Sequence, residues 1–173
     1  MISKKKLLLF SFSLLALLTS ATFLAKPKAS EKKIVIHGKV IEGLTEVEKV
    51  IIRAKLKEVK KRTNYLAKLK GIITVIERRV FVEVIKKGDG DYTPYAGKVR
   101  LKIKELNEKN EVVQGTVEEI TISLSSLSQG LQLGIATSRE GEIRKIYIHP
   151  DYIENPLELK YKAYEIEYLG KAY

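Results

Sequence analysis

The stretch Ser128 to Tyr152, S-Q-G-L-Q-L-G-I-A-T-S-R-E-G-E-I-R-K-I-Y-I-H-P-D-Y, decides how the rest of the chain is read. Leu127, Leu131, Leu133 and Ile135 lay out a short amphipathic segment that breaks at the turn around Gly141. A strand carrying Ile146 and Ile148 on one face follows, and stops at His149-Pro150, because proline has no N–H to give to a ladder. Towards the C-terminus, Tyr164, Ile166 and Tyr168 alternate as a final strand, preceded by Tyr161 and Ala163. Towards the N-terminus, Ile120, Ile122 and Leu124 alternate, and Ser125 or Ser126 is placed to cap the short helix to Leu133. Further back, Val112-Val113 begins a short strand after the polar turn Asn107 to Asn110. Val99, Leu101 and Ile103 alternate with Arg100, Lys102 and Lys104, a half-buried strand. Tyr92 to Gly97 holds Pro94 and reads as a loop. Val75 and Ile76 precede an apolar run from Val80 to Ile85, which is ended by the glycine turn Lys86-Lys87-Gly88-Asp89-Gly90. Short strands, glycine turns and one short helix predict an α+β domain over 72–173, built on an antiparallel sheet.

Thr45 to Lys70 is the clearest helix. Thr45 and Glu48 have capping-box spacing, and Gly71 stands where a glycine would end the helix, giving a segment 45–71. Ile52, Leu56, Val59 and Leu66, with Thr63 between, form one apolar seam. That seam fits packing on its own domain and packing against a second protomer equally, so a homodimer through 45–71 stays open. Lys55, Lys57, Lys60, Lys61 and Lys68 mostly occupy the other faces, as a solvated surface or as a dock for acidic partners or anionic lipid.

Met1 to Ala25 reads as an export signal. Lys4, Lys5 and Lys6 form a positive start, Leu7 to Leu18 an apolar run, and Thr19-Ser20-Ala21 a small-residue site for cleavage after Ala21, with Ala25 the alternative. The uncleaved alternative is an anchor helix; after cleavage no stable membrane span is expected. Segment 26–44 is basic and mixed, and reads as a linker with a short strand at Ile34-Val35-Ile36. The expected location is exported: periplasm, outer membrane or cell surface.

Composition narrows the chemistry. The 173 residues contain no cysteine and two histidines, His37 and His149, far apart. Disulfide frameworks and thiolate metal sites are therefore ruled out, and little material is left for a histidine metal site. The net charge of +11 is spread along the chain and carried by lysine more than arginine. No basic run is interleaved with aromatics, so nucleic acid is not the expected partner.

Gly130-Leu131-Gln132-Leu133, the turn, and Tyr147-Ile148-His149-Pro150 together resemble the centre of an FKBP-type peptidyl-prolyl isomerase domain. Asn64-Tyr65-Leu66-Ala67-Lys68-Leu69-Lys70-Gly71 resembles the helix end that precedes this domain in the Mip subgroup (macrophage infectivity potentiator-like proteins). Phe81 to Gly90 is similar to that family's first strand and K-x-G-x-G turn, and Ala163 to Leu169 to its closing strand. The resemblance runs from Glu46 to the C-terminus, in order. It implies an FKBP-like antiparallel sheet half-wrapped around one short helix, after a longer N-terminal helix. It further implies peptidyl-prolyl isomerisation of proline-containing polypeptide clients, as a folding factor for exported proteins, with no cofactor or metal. The alternative is a non-catalytic chaperone or dimeric scaffold that keeps the fold without the proline pocket.

Carried over residue by residue, the resemblance puts substrate binding at Ile103, Val113, Gln114, Ile120, Leu124, Leu127, Tyr152 and Tyr164, with no catalytic nucleophile or base. The family's tyrosine falls at Ile103, its Phe-Asp pair at Val113-Gln114 and its tryptophan floor at Leu127. Its strand phenylalanines fall at Ile120 and Tyr164, of which Tyr164 alone stays aromatic. Tyr152 stands near the family's flap hydroxyl. Read without the family, the aliphatic members are core residues and the tyrosines have buried rings with wet tips. Gly130 is then a packing position rather than a binding one.

Overall fold

The computed structural model describes residues 34–36, 39–76, 78–113, 118–153 and 159–173. The proposed signal at 1–25 lies outside these residues, as does Gln114. In chain order the elements are β1 (Val35–Ile36), β2 (Lys39–Val40), α1 (Glu46–Leu66), β3 (Ile72–Ile76), β4 (Val80–Lys86), β5 (Lys98–Leu106), β6 (Glu118–Ser123), α2 (Gln129–Ile135), β7 (Ile143–Ile148) and β8 (Lys162–Ala172). Short 3₁₀ turns stand at Leu124–Ser126 and Pro150–Tyr152. The short strand expected at Ile34-Val35-Ile36 is found as β1, which pairs with β2, Val35 opposite Val40.

β3 to β8 form one antiparallel sheet of six strands in the order β3-β4-β7-β8-β5-β6. The alternating residues of β5 sort as expected, with Val99 and Leu101 fully buried and Arg100 exposed. β4 and β7 are different: Val80-Phe81-Val82 and Ile146-Tyr147-Ile148 are buried at every position, because both faces of these inner strands are covered. The first face carries the larger core, Val80, Val82, Val99, Leu101, Ile146, Ile148, Ile166 and Tyr168, closed by Leu124, Leu127 and Ile135. The second face carries Phe81, Leu106, Tyr147 and Ala163, closed by Leu66 of α1.

α2 lies on β7 at very short range. A Cβ on Gly130 would come within 2.6 Å of Ile148 Cγ2, and one on Gly134 within 2.5 Å of Ile146 Cγ2. The glycines stand four apart, on one stripe of the helix. The packing role read for Gly130 is therefore the observed one. Arg144 fastens the other end: its guanidinium donates to the carbonyls of Gly134 (3.0 Å) and Ala136 (2.8 Å), and its Nε to Glu142 Oε1 at 2.5 Å. A cation on the last carbonyls also suits the negative end of the helix dipole. The turn after β4 is held nearby, since a Cβ on Gly88 would lie 2.6 Å from the Glu142 amide.

α1 begins as expected. Thr45 Oγ1 accepts from the Glu48 amide at 3.3 Å, and Glu48 Oε2 accepts from the Thr45 amide at 2.9 Å. It ends at Leu66, short of Gly71, with Ala67 as C-cap; Gly71, at φ +84°, sits in the turn leading into β3 instead. The C-terminal half of the seam is used within the domain. Leu66 is 1% exposed and Val59 6%, and Thr63 Oγ1 lies 2.8 Å from the Tyr161 hydroxyl. Ile52 and Leu56 are half-buried. α2 also starts later than expected. Leu124–Ser126, with both proposed capping serines, is a 3₁₀ turn, and the helix is preceded by Ser128. Leu124 and Leu127 both face the core, and a three-residue spacing suits a 3₁₀ turn. The strand expected at Val112-Val113 reduces to a single bridge, Leu106 to Val112.

Candidate substrate-binding face

The apolar positions on the first face divide into a floor and a rim. Leu124 and Leu127, 8% and 7% exposed, are part of the core itself. Their positions are fixed by the Leu127 amide donating to Leu124 O (3.2 Å) and by Gln132 Nε2 donating to Leu127 O (2.7 Å). Ile103, Ile120, Tyr152 and Tyr164 are half-buried and pack against this core from its edge, together with Ile122 and Ile153. Sheet register explains why they meet. Leu101 pairs with Ile120 on one side and Tyr168 on the other, and Ile103 pairs with Ile166, two residues from Tyr164.

Tyr152 arrives from outside the sheet. His149 caps its 3₁₀ turn, Nδ1 accepting from the Asp151 amide at 3.1 Å, and the Tyr152 amide donates to His149 O at 2.9 Å. Arg79 pairs with Asp151, and the His149 amide donates to Arg79 O at 2.7 Å, so the turn is tied to the start of β4. The His149 ring meets Tyr161 edge-on at 5.3 Å. Its work is structural, as a loop histidine.

Six of the eight sequence-derived positions thus border one core: Ile103, Ile120, Leu124, Leu127, Tyr152 and Tyr164. Val113 does not join them. It is 37% exposed, and its amide donates to Glu105 O at 2.9 Å beyond the end of the sheet pairing. Gln114 lies outside the described residues. The face thus presents half-buried aliphatic side chains and two tyrosines around one core. Among the described residues no group of three or more acidic, histidine or cysteine side chains could hold a metal ion.

Two features were not legible in the residues alone. Among the described residues the buried Tyr168 hydroxyl has no hydrogen-bond partner, and burial, then the charges of Glu140 and Asp91, push its pKa up. On the second face, a cleft of ≈ 400 Å³ opens between α1 and the sheet, lined by Val59, Arg62, Tyr65, Tyr147, Leu159 and Tyr161 among others. The Arg62 guanidinium lies 5.6 Å from the Tyr65 ring centre and 5.7 Å from that of Tyr147. Burial, with Glu83 beside it, raises Tyr147 to about 12, and burial raises Tyr161 as well. Only the docking of α1 brings these residues together, and no local pattern announces it.

No protein-family model matches the chain. In sequence it is similar to the peptidyl-prolyl cis-trans isomerase Mip of Chlamydia pneumoniae, 29% identical over 117 residues, 64% of this chain and 45% of that protein. The chain therefore spans less than half the length of that curated relative. In structure it is similar to a peptidyl-prolyl cis-trans isomerase of Pseudomonas syringae pv. tomato, with TM-score 0.58 and 14% identity, over 68% of this chain and 93% of the other. FkpA of Escherichia coli gives TM-score 0.54 and 16% identity over 73% and 72%. The architecture expected from the motifs is the architecture found.

Proposed function

We propose that this chain, FKBP-type and Mip-like in sequence and fold, is a peptidyl-prolyl cis–trans isomerase acting as a folding factor on proline-containing clients. The observation that carries the reading is the packing of Ile103, Ile120, Tyr152 and Tyr164 against the one core that holds Leu124 and Leu127. Rotation about a peptide bond costs about 18–20 kcal/mol because it breaks amide resonance. X-Pro isomerisation consequently takes tens to hundreds of seconds. The twisted amide has lost charge separation, so an apolar face binds it better than the planar form. Differential binding of that kind lowers the barrier without a nucleophile, base or metal. Export of the chain, with the work done in the periplasm or at the cell surface, belongs to the same proposal and rests on the leader sequence. Among the described residues no helix is long and apolar enough to cross a membrane.

A second reading is a non-catalytic chaperone or dimeric scaffold. It is favoured by the floor, where leucines packed into the core stand in place of an aromatic base. One experiment separates the two. A protease-coupled assay on a proline tetrapeptide compares the wild type with an Ile103→Ala, Tyr164→Ala double variant, both positions half-buried and so tolerant of truncation. Acceleration by the wild type and a loss on the order of tenfold in kcat/KM in the variant are expected. No acceleration by folded wild-type protein rejects the isomerase, and suppression of client aggregation then becomes the assay. For the dimer, Ile52 and Leu56 are the seam positions left half-exposed. Leu56→Glu lowers the mass in light scattering if they are an interface and leaves it unchanged if they are not.

A further inference from the structure

We propose that the outer face of α1 rests on an anionic phospholipid surface. The C-terminal half of α1 faces the sheet with Val59, Thr63 and Leu66, which leaves the opposite side of the helix outward. Arg53, Lys57 and Lys60 recur there at i, i+4 and i+7, which aligns them on one stripe, and Lys61 flanks it at the mouth of the cleft beside Val59 and Arg62; all four are exposed. The acids of the first turn are already engaged: Glu46 with Lys49 at 2.8 Å, and Glu48 in the capping box.

Beside the basic stripe stand aliphatic residues in water. Val47 is 47% exposed, Val50 62% and Ile51 36%. Val47 and Val50, three apart and so on one side of the helix, with Arg53 and Lys57 three and seven residues beyond Val50, are what an interfacial helix offers; Ile51, two residues from Arg53, faces away from it. The cations meet lipid phosphates while the aliphatics enter the boundary between headgroups and acyl chains. An acidic protein or a soluble polyanion would answer the lysines but not the aliphatics. A second copy pairing about a two-fold axis near Lys57 would set Lys57 against its own equivalent and Arg53 against the other copy's Lys61. A bilayer surface answers both, and the leader expected from the sequence directs the chain to a membrane. This surface is on α1, away from the candidate substrate face, and is independent of the isomerase reading.

Vesicle flotation of the full chain tests it, with phosphatidylglycerol-rich against phosphatidylcholine vesicles at low and high salt. The wild type is expected to prefer the anionic vesicles and to lose that preference as salt rises. A Lys57→Glu, Lys60→Glu, Lys61→Glu variant is expected to bind them on the order of a hundredfold more weakly. Val47→Ser with Val50→Ser should weaken binding several-fold at either salt, as lost apolar burial requires. Circular dichroism checks the helix, and Lys→Gln at the same three positions should show the same direction with no charge reversal. Three outcomes overturn the proposal: equal flotation of wild type and charge variant; retention on heparin without preference for anionic vesicles; or a dimer in light scattering that Val50→Glu splits.

Discussion

The two faces of the sheet are covered by helices on opposite principles. α2 is seven residues long and is pressed flat on β7, its two glycines replacing side chains with backbone contact. α1 is 21 residues long, stabilises its own first turn with a capping box, and touches the sheet along its C-terminal half only, leaving a cleft beside Tyr147 and Tyr161. A helix as short as α2 is unstable alone and must be held by proximity. A long capped helix needs only a few anchors. The first face is therefore tightly packed under α2, with half-buried residues only at its edge, while the second keeps an open cleft beside its core, lined in part by Arg62, Tyr65 and Tyr161.

The largest effect is expected from removing the main anchor of the second face. Phe81→Ala empties a fully buried site and should cost about 4 kcal/mol in denaturant titration; a cost below 1 would mean that the α1 side is not a packed core. Next comes Gly134→Val, which drives a branched side chain into Ile146. A loss of roughly 3 kcal/mol is expected, and a neutral result would show that α2 can lift off β7 freely. Tyr161→Phe removes the partner of Thr63 and should cost about 1 kcal/mol, with little change at the first face.

The smallest effect sharpens the comparison by pH. Tyr147, raised to about 12, and Tyr161, also raised, hold their protons more tightly folded than unfolded. Their contribution is intact below the ordinary tyrosine value of 10.0 and is lost as pH climbs through the folded value. Stability should therefore fall between pH 10 and 12, by on the order of 1 kcal/mol for Tyr147 after allowance for screening. Tyr147→Phe should flatten this part of the profile; an unchanged slope would assign it to other groups.

What the sequence displays follows the range of the interactions. The capping box at Thr45, the alternation of β5 and the proline stop after β7 are local, and each is read directly from neighbouring residues. The helix end at Leu66 is not, because it depends on Leu66 meeting Phe81 and Tyr147 across the second face. The late start of α2 likewise depends on two leucines finding the same core, which overrides the preference of Ser125 or Ser126 for a cap. At the candidate site, family motifs gave the positions that lie in strands and turns of fixed register. Val113 lies apart from them, because the strand expected at Val112-Val113 is only a single bridge to Leu106.

The link from Arg144 to the end of α2 has a consequence for how the molecule opens. An isolated helix of this length frays residue by residue, and its amides exchange with solvent almost at once. Here the last carbonyls are held by a side chain rooted in β7, whose other partner, Glu142, is buried beside it. Helix and strand then form one cooperative unit, and the amide hydrogens of α2 should exchange at the rate of β7, set by a shared opening event rather than by the helix ends.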